Sequence, residues 1–203
     1  MTESVHRLGE DPAGRAAALD AAVEALLSGG VALLPAEGLY GLHAAALRPG
    51  AAGRLAALKG GPPRPFILLV GAPAHALALV DSLPGPAAAL IEREWPGPLT
   101  LLLPASPLVP GDLCRDGLVA LRCPGQPFLR ELLLLLSEPL LSTSANRAGS
   151  PAPRSLAEVA GEILRGCDVA VDGGELSGEG STVARPETSG ALTILRRGQW
   201  RPV

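Results

Sequence analysis

Val31-Ala32-Leu33-Leu34 is an apolar run too short for a helix, opened by Gly29-Gly30 and closed by Pro35. A run bounded in this way reads as a buried strand. Comparable runs stand at residues 66–70, 99–103, 119–122, 168–171 and 192–195, which limits the chain to folds built from several short strands. The intervening segments have helical character. Residues 16–27 place Leu19, Val23, Leu26 and Leu27 on one face, and residues 49–58 and 87–95 read as further helices. Residues 128–136 carry five consecutive leucines and predict a helix buried on nearly every side. Ser155-Leu156-Ala157-Glu158 has the spacing of a capping box and predicts a helix to about Arg165. Strands alternating with helices give the α/β class.

At 203 residues the chain fits one domain, taken as 1–203, and is long enough to bury a full core. Only 2% of residues are aromatic against 47% hydrophobic, so Leu, Val and Ala must fill that core. A net charge of −3 argues against nucleic-acid binding through a broad basic surface, but leaves a local basic site open. Cys114, Cys123 and Cys167 form no CxxC pair, which points away from structural zinc or a disulfide framework. Residues 1–15 lack the apolar core of a signal peptide, and no apolar run approaches the ~18 residues of a membrane span. A cytoplasmic protein with no membrane partner is expected. His6, His43 and His75 share no metal-ligand spacing, no nucleophile motif is present, and the histidines read as incidental core or surface residues.

Polar candidates gather in loops. Leu140-Leu141 runs into Ser142-Thr143-Ser144-Ala145-Asn146, either a cluster that holds a polar ligand or a turn that bonds its own backbone. Lys59 and Arg64 lie in a Gly/Pro-rich loop, where they either reach phosphates or stay solvated. Tyr40, in a segment 35–42 read as loop, either stacks on a base or closes the core. Arg122 ends a strand and either grips a carboxylate or points to solvent. The glycine-rich acidic segment 173–180 reads as a flexible loop, a mobile lid or a long connection, and Arg196-Arg197 follows the last strand.

The ordered fragments GGVALLPAEGLYGL, ALKGGPPRP, WPGPLTLLL, VALRCP, LLSTSAN, VDGG, STV and ILRRG resemble the YrdC-like family of threonylcarbamoyl-AMP synthases from Gly29 to Gly198. The resemblance implies a single YrdC-like domain, with a twisted mixed sheet and flanking helices around a concave site. It also implies a nucleotidyltransferase that joins ATP, L-threonine and bicarbonate, with magnesium accompanying the triphosphate, for threonylcarbamoylation of tRNA adenosine. On this resemblance Lys59, Arg64, Ser144, Asn146 and Arg196 would bind ATP. Tyr40, Arg122, Ser142 and Ser181 would bind threonine. No catalytic nucleophile is implied, because positioning and charge neutralisation carry such a transfer. Further partners would be tRNA, double-stranded RNA or tRNA-modification proteins.

The chain departs from the family pattern. Ala36 and Gly38 replace two hydroxyl residues of the first loop, Gly61 replaces an arginine after Lys59, and Leu118 and Ala152 stand where relatives often carry hydroxyls. Two functions of different class remain: an active synthase, including one that adenylylates a related small acid, and a catalytically weakened protein that binds a nucleotide or RNA.

Overall fold

The computed structural model describes residues 4–9, 11–60 and 66–202. In chain order the elements are β1 (Ser4–Arg7), α1 (Pro12–Leu27), β2 (Ala32–Pro35), β3 (Tyr40–Ala45), α2 (Ala51–Lys59), β4 (Ile67–Leu69), α3 (Pro73–Ala76), α4 (Gly85–Glu94) and β5 (Leu99–Pro104). There follow β6 (Leu118–Arg122), α5 (Pro127–Leu136), β7 (Leu140–Ser144), α6 (Gly161–Arg165), β8 (Val169–Asp172), β9 (Thr182–Pro186) and β10 (Leu192–Arg196). Among the described residues the strands form one ten-stranded sheet, ordered β1-β8-β2-β3-β7-β4-β6-β5-β9-β10. The sheet is mixed. For example, β2 and β7 run antiparallel to β3, whereas β4 runs parallel to β6 and β5 to β9.

Strand alternation divides the core into two layers. Leu33, Leu42, Leu68, Leu101, Leu121 and Leu141 point to the face packed by Leu55 of α2, Leu90 and Ile91 of α4 and Ile163 of α6. Leu34, Ala45, Leu69, Leu140, Val169 and Val171 point to the other face, against Ala18, Leu19, Ala22 and Leu26 of α1 and Phe128, Leu129, Leu132 and Leu133 of α5.

The helix ends explain where the sequence reading missed. α1 begins at Pro12, four residues before the expected start. The Asp11 carboxylate accepts the amide hydrogens of Ala13 and Gly14 at 3.2 and 3.0 Å, and Pro12 sits where its missing N–H costs nothing. In α5 the Gln126 side chain accepts the Leu129 N–H at 2.7 Å, but Leu134 and Leu135 are 48% and 58% exposed. A single helix cannot bury all sides against one sheet face, so the leucine run exceeds the buried stripe. The expected helix 155–165 is instead a 3-10 turn, Leu156–Glu158, followed by the short α6. The Glu158 carboxylate accepts the Arg154 N–H at 2.8 Å, and Ser155 makes no side-chain cap. Segment 35–42 is not all loop, because Tyr40 opens β3 and pairs with Pro35 of β2. β1 and β9 are strands the sequence reading lacked.

Two measurements check this packing. Phe128→Ala lowers the unfolding free energy by about 3–5 kcal/mol, whereas Leu135→Ala changes it by roughly 0.5 kcal/mol or less, both read by urea titration. His43 is fully buried in β3, and burial together with the Arg122 charge depresses its pKa from 6.5 to about 3. The unfolded chain takes up this proton below pH 6.5 and the folded chain does not, so the stability this site contributes is complete above pH 6.5 and falls toward pH 3. His43→Leu flattens the stability-versus-pH slope in that window by up to about 1.4 kcal/mol per pH unit.

Candidate functional site

The face of the sheet covered by α1 and α5 turns polar toward the carboxyl end of β7. Leu140, Ser142 and Ser144 share that side of β7, with Leu141 and Thr143 on the other. The neighbouring strand β3 presents Gly41 opposite Ser144 and His43 opposite Ser142. Alternation brings Ile67 of β4, Arg122 of β6 and Thr100 of β5 to the same side. His43, Thr100, Arg122, Ser142 and Ser181 are all buried. A hollow of about 360 Å³ opens over this stripe, a size that takes a small polar ligand.

Tyr40, Lys59, Arg122, Ser142, Ser144, Asn146, Ser181 and Arg196 all line that hollow. Arg64 and Gly61 lie outside the described residues. Lys59, at the end of α2, donates its ammonium hydrogens to the Ser144 and Asn146 carbonyls at 2.7 and 2.9 Å, so a cation tethers the end of β7. Ser144 donates its hydroxyl to Asn146 Oδ1, and Asn146 Nδ2 donates to the carbonyls of Arg147 and Ser150. The 142–146 cluster is thus both a self-bonded turn and a wall of the hollow. Tyr40 is a core residue whose hydroxyl accepts the Gly173 N–H and donates to the Gly174 carbonyl, each at 2.8 Å. Burial pushes its pKa up to about 12, which keeps it protonated.

On the opposite wall Arg196 donates to the Ser181 carbonyl at 2.9 Å and to its hydroxyl at 3.2 Å. The Ser181 and Thr100 hydroxyls lie 2.8 Å apart. Burial and the nearby Arg122 charge pull the Arg196 pKa below its ordinary value, a sign that two cations crowd one small volume. Arg122 Nη1 stands 3.1 Å from Glu37 Oε2, with both side chains almost fully buried. Glu37 was absent from the expected site, although its position in the loop between β2 and β3 places it beside Tyr40. Thr100, whose hydroxyl meets that of Ser181, was also missed, because its meaning depends on which face of the sheet it takes. Burial raises the Cys123 and Cys167 thiols to about 11 and 12, so neither is a thiolate nucleophile at neutral pH.

The glycine-rich segment 173–180 is fastened at several points. Besides the Tyr40 contacts, the Leu176 N–H donates to the Arg154 carbonyl at 2.8 Å, the Gly178 N–H donates to the Gly38 carbonyl at 2.8 Å, and Arg154 pairs with Glu175. Gln199 Nε2 donates to Ser177 Oγ and the Glu179 carbonyl at 2.8 and 2.7 Å. A Cβ at Gly38 would overlap that same carbonyl and amide. The side chain missing at Gly38 is therefore replaced, in space, by the Gln199 amide.

With this geometry in view, the chain can be set beside known proteins. The Sua5/YciO/YrdC domain model, described as telomere recombination, matches residues 24–198. A threonylcarbamoyl-AMP synthase of Pyrococcus abyssi is 37% identical over 150 residues, covering 72% of this chain and 44% of that protein. One from Vibrio cholerae is 34% identical over 184 residues, covering 89% and 97%. The structure of P. abyssi Sua5 complexed with L-threonine is 32% identical with a TM-score of 0.85, covering 96% of this chain and 56% of that one. Escherichia coli YciO is 25% identical with a TM-score of 0.82, covering 96% and 95%. The chain thus spans about half the length of the first curated relatives it matches and nearly all of the Vibrio one. A hollow walled by a Ser-Thr-Ser strand end, a lysine and two arginines, on a mixed sheet matched over almost every residue, belongs to a member of the Sua5/YciO/YrdC family.

Proposed function

We propose that this protein is an L-threonylcarbamoyladenylate synthase, which joins ATP, L-threonine and bicarbonate into threonylcarbamoyl-AMP and releases pyrophosphate. The observation that carries this reading is the convergence of Lys59, Arg122 and Arg196 with Ser142, Ser144 and Ser181 around one hollow of about 360 Å³. Cations and hydroxyls in that arrangement suit a ligand carrying both phosphates and a carboxylate. The threonine complex of P. abyssi Sua5 adds support for the amino acid.

In this scheme Lys59, Ser144, Asn146 and Arg196 hold the nucleotide, and Arg64 is a further phosphate-binding cation. Arg122, Ser142 and Ser181 hold threonine, and Tyr40 fixes the wall behind it. The step itself is attack of a carbamate oxygen on the α-phosphorus with pyrophosphate as leaving group. The protein contributes alignment and charge neutralisation, and forms no covalent intermediate. Among the described residues no group of three or more His, Cys, Asp and Glu side chains is arranged to cage a metal, and the hollow's carboxylate, Glu37, is engaged by Arg122. That donor set fits magnesium held mainly by phosphate oxygens and water, where it offsets triphosphate charge. The product would pass to tRNA adenosine through tRNA or tRNA-modification proteins in the cytoplasm. No described helix is long and apolar enough to cross a membrane.

One observation favours a second reading, a weakened relative that binds a nucleotide or RNA in the same hollow. Ala36 and Gly38 line the site without hydroxyls, and the Gly38 position has no room to regain one.

Incubation with ATP, magnesium, threonine and bicarbonate separates the two. Threonine-dependent pyrophosphate together with threonylcarbamoyl-AMP is expected, and no such product at high enzyme concentration overturns the synthase. Lys59→Ala lowers kcat/KM for ATP by about 100-fold, through loss of both its charge and its hold on β7. Gly38→Thr does not restore a ligand contact. It displaces Gln199 and Glu179 and costs roughly 1–3 kcal/mol of stability, read by thermal unfolding.

A further inference from the structure

We infer that Glu37 is a positioning residue that holds the Arg122 guanidinium in place at the hollow for the incoming amino-acid carboxylate. The inference rests on the reading of Arg122 as the carboxylate-binding residue and adds a partner that fixes it. Three observations carry it.

First, Glu37 is itself held. Its Oε1 accepts the Gly125 N–H at 2.6 Å, from the segment that follows Arg122 in the chain. The carboxylate therefore bridges the loop after β2 and the turn after β6. Second, Glu37 is the one side chain that engages Arg122 among the described residues, at 3.1 Å from Nη1. Third, Arg122 is 4% exposed and lines the hollow, yet its Nε has no hydrogen-bond partner, and Glu37 Oε2 likewise lacks a well-directed one. A buried guanidinium with an unused edge is an incomplete set of donors.

A carboxylate completes it. Arginine presents donors along more than one edge, so one carboxylate on Nη1 leaves further donors for a second one. Glu37 also offsets charge where Arg122 and Arg196 repel each other, so without it Arg122 would be a buried cation with no anion beside it. Two effects then oppose each other on removal of Glu37. The hollow becomes more positive, which draws any anion. Among the described residues Arg122 also loses the one side-chain acceptor that fixes it, and with it the geometry for a second carboxylate. Positioning wins on geometric grounds, because a long side chain released in a hollow that already contains Lys59 and Arg196 turns away from the second cation, and carboxylate binding tolerates little misalignment.

The test is calorimetric titration of the full chain and its variants with L-threonine, L-threoninamide and ATP. Glu37→Gln is expected to weaken threonine binding by about tenfold or more, with ATP and threoninamide binding changed by about twofold or less. Glu37→Asp, which keeps the charge but shortens the reach, falls between. If Glu37→Gln does not fold, the pair Glu37→Gln with Arg122→Gln, which leaves no buried charge, is compared with Arg122→Gln alone. Equal threonine affinity in those two supports the inference, since Glu37 then acts only through Arg122. Tighter or unchanged threonine binding in Glu37→Gln, or an equal loss for threoninamide, overturns it. A protein that binds threonine in this pattern but makes no adenylate refutes the synthase reading and leaves the Glu37 inference intact.

Discussion

The pairing register of β7 is the constraint on which the site depends. With His43 opposite Ser142 and Gly41 opposite Ser144, the period of two sends Leu140 under α5 and leaves the serines over the hollow. A shift by one residue would turn Leu141 and Thr143 to that side and bury the serines among leucines. β4 locks the same register from the other side, with Ile67 opposite Ser142 and Leu69 opposite Leu140. Stability and ligand chemistry are thus set by one alignment. Apolar residues at one end of the strand pay for placing polar ones at the other.

The helices complete the arrangement by covering only the apolar part of that face. α1 and α5 are anchored at their N-termini by Asp11 and Gln126, and their buried stripes cover the sheet only as far as the leucine layer reaches. The polar stripe beyond that layer lines the concavity. Loops from the ends of β2, α2, β7 and β8 then supply the walls.

Much of this was legible in the sequence, and the exceptions share a cause. The short apolar runs marked most of the strands because Gly and Pro close them. Ser142, Ser144, Lys59, Arg122 and Arg196 were recognisable as an ordered set of fragments, and they line a single hollow. β3 and β9 were missed because Gly41, His43, Thr182 and Arg185 interrupt the apolar pattern that a strand search needs. The leucine run of α5 misled in the opposite direction, since sequence shows hydrophobicity but not which side has a partner. Glu37 and Thr100 carry no local motif at all. Their roles come from pairing and burial, which no single segment encodes.

Gly38 and Gln199 are separated by most of the chain yet fill one position in space. The family match ends at residue 198, one residue short of that amide. Beyond it, Trp200 is buried against the main core and its carbonyl accepts the Thr182 hydroxyl at 2.6 Å, while Arg201 pairs with Glu179 at 2.8 Å. The folding unit therefore outruns the segment matched by the family model. A boundary drawn at the end of the match would cut away the group that plugs the first loop, and a chimera exchanging that loop would have to carry the far strand end with it.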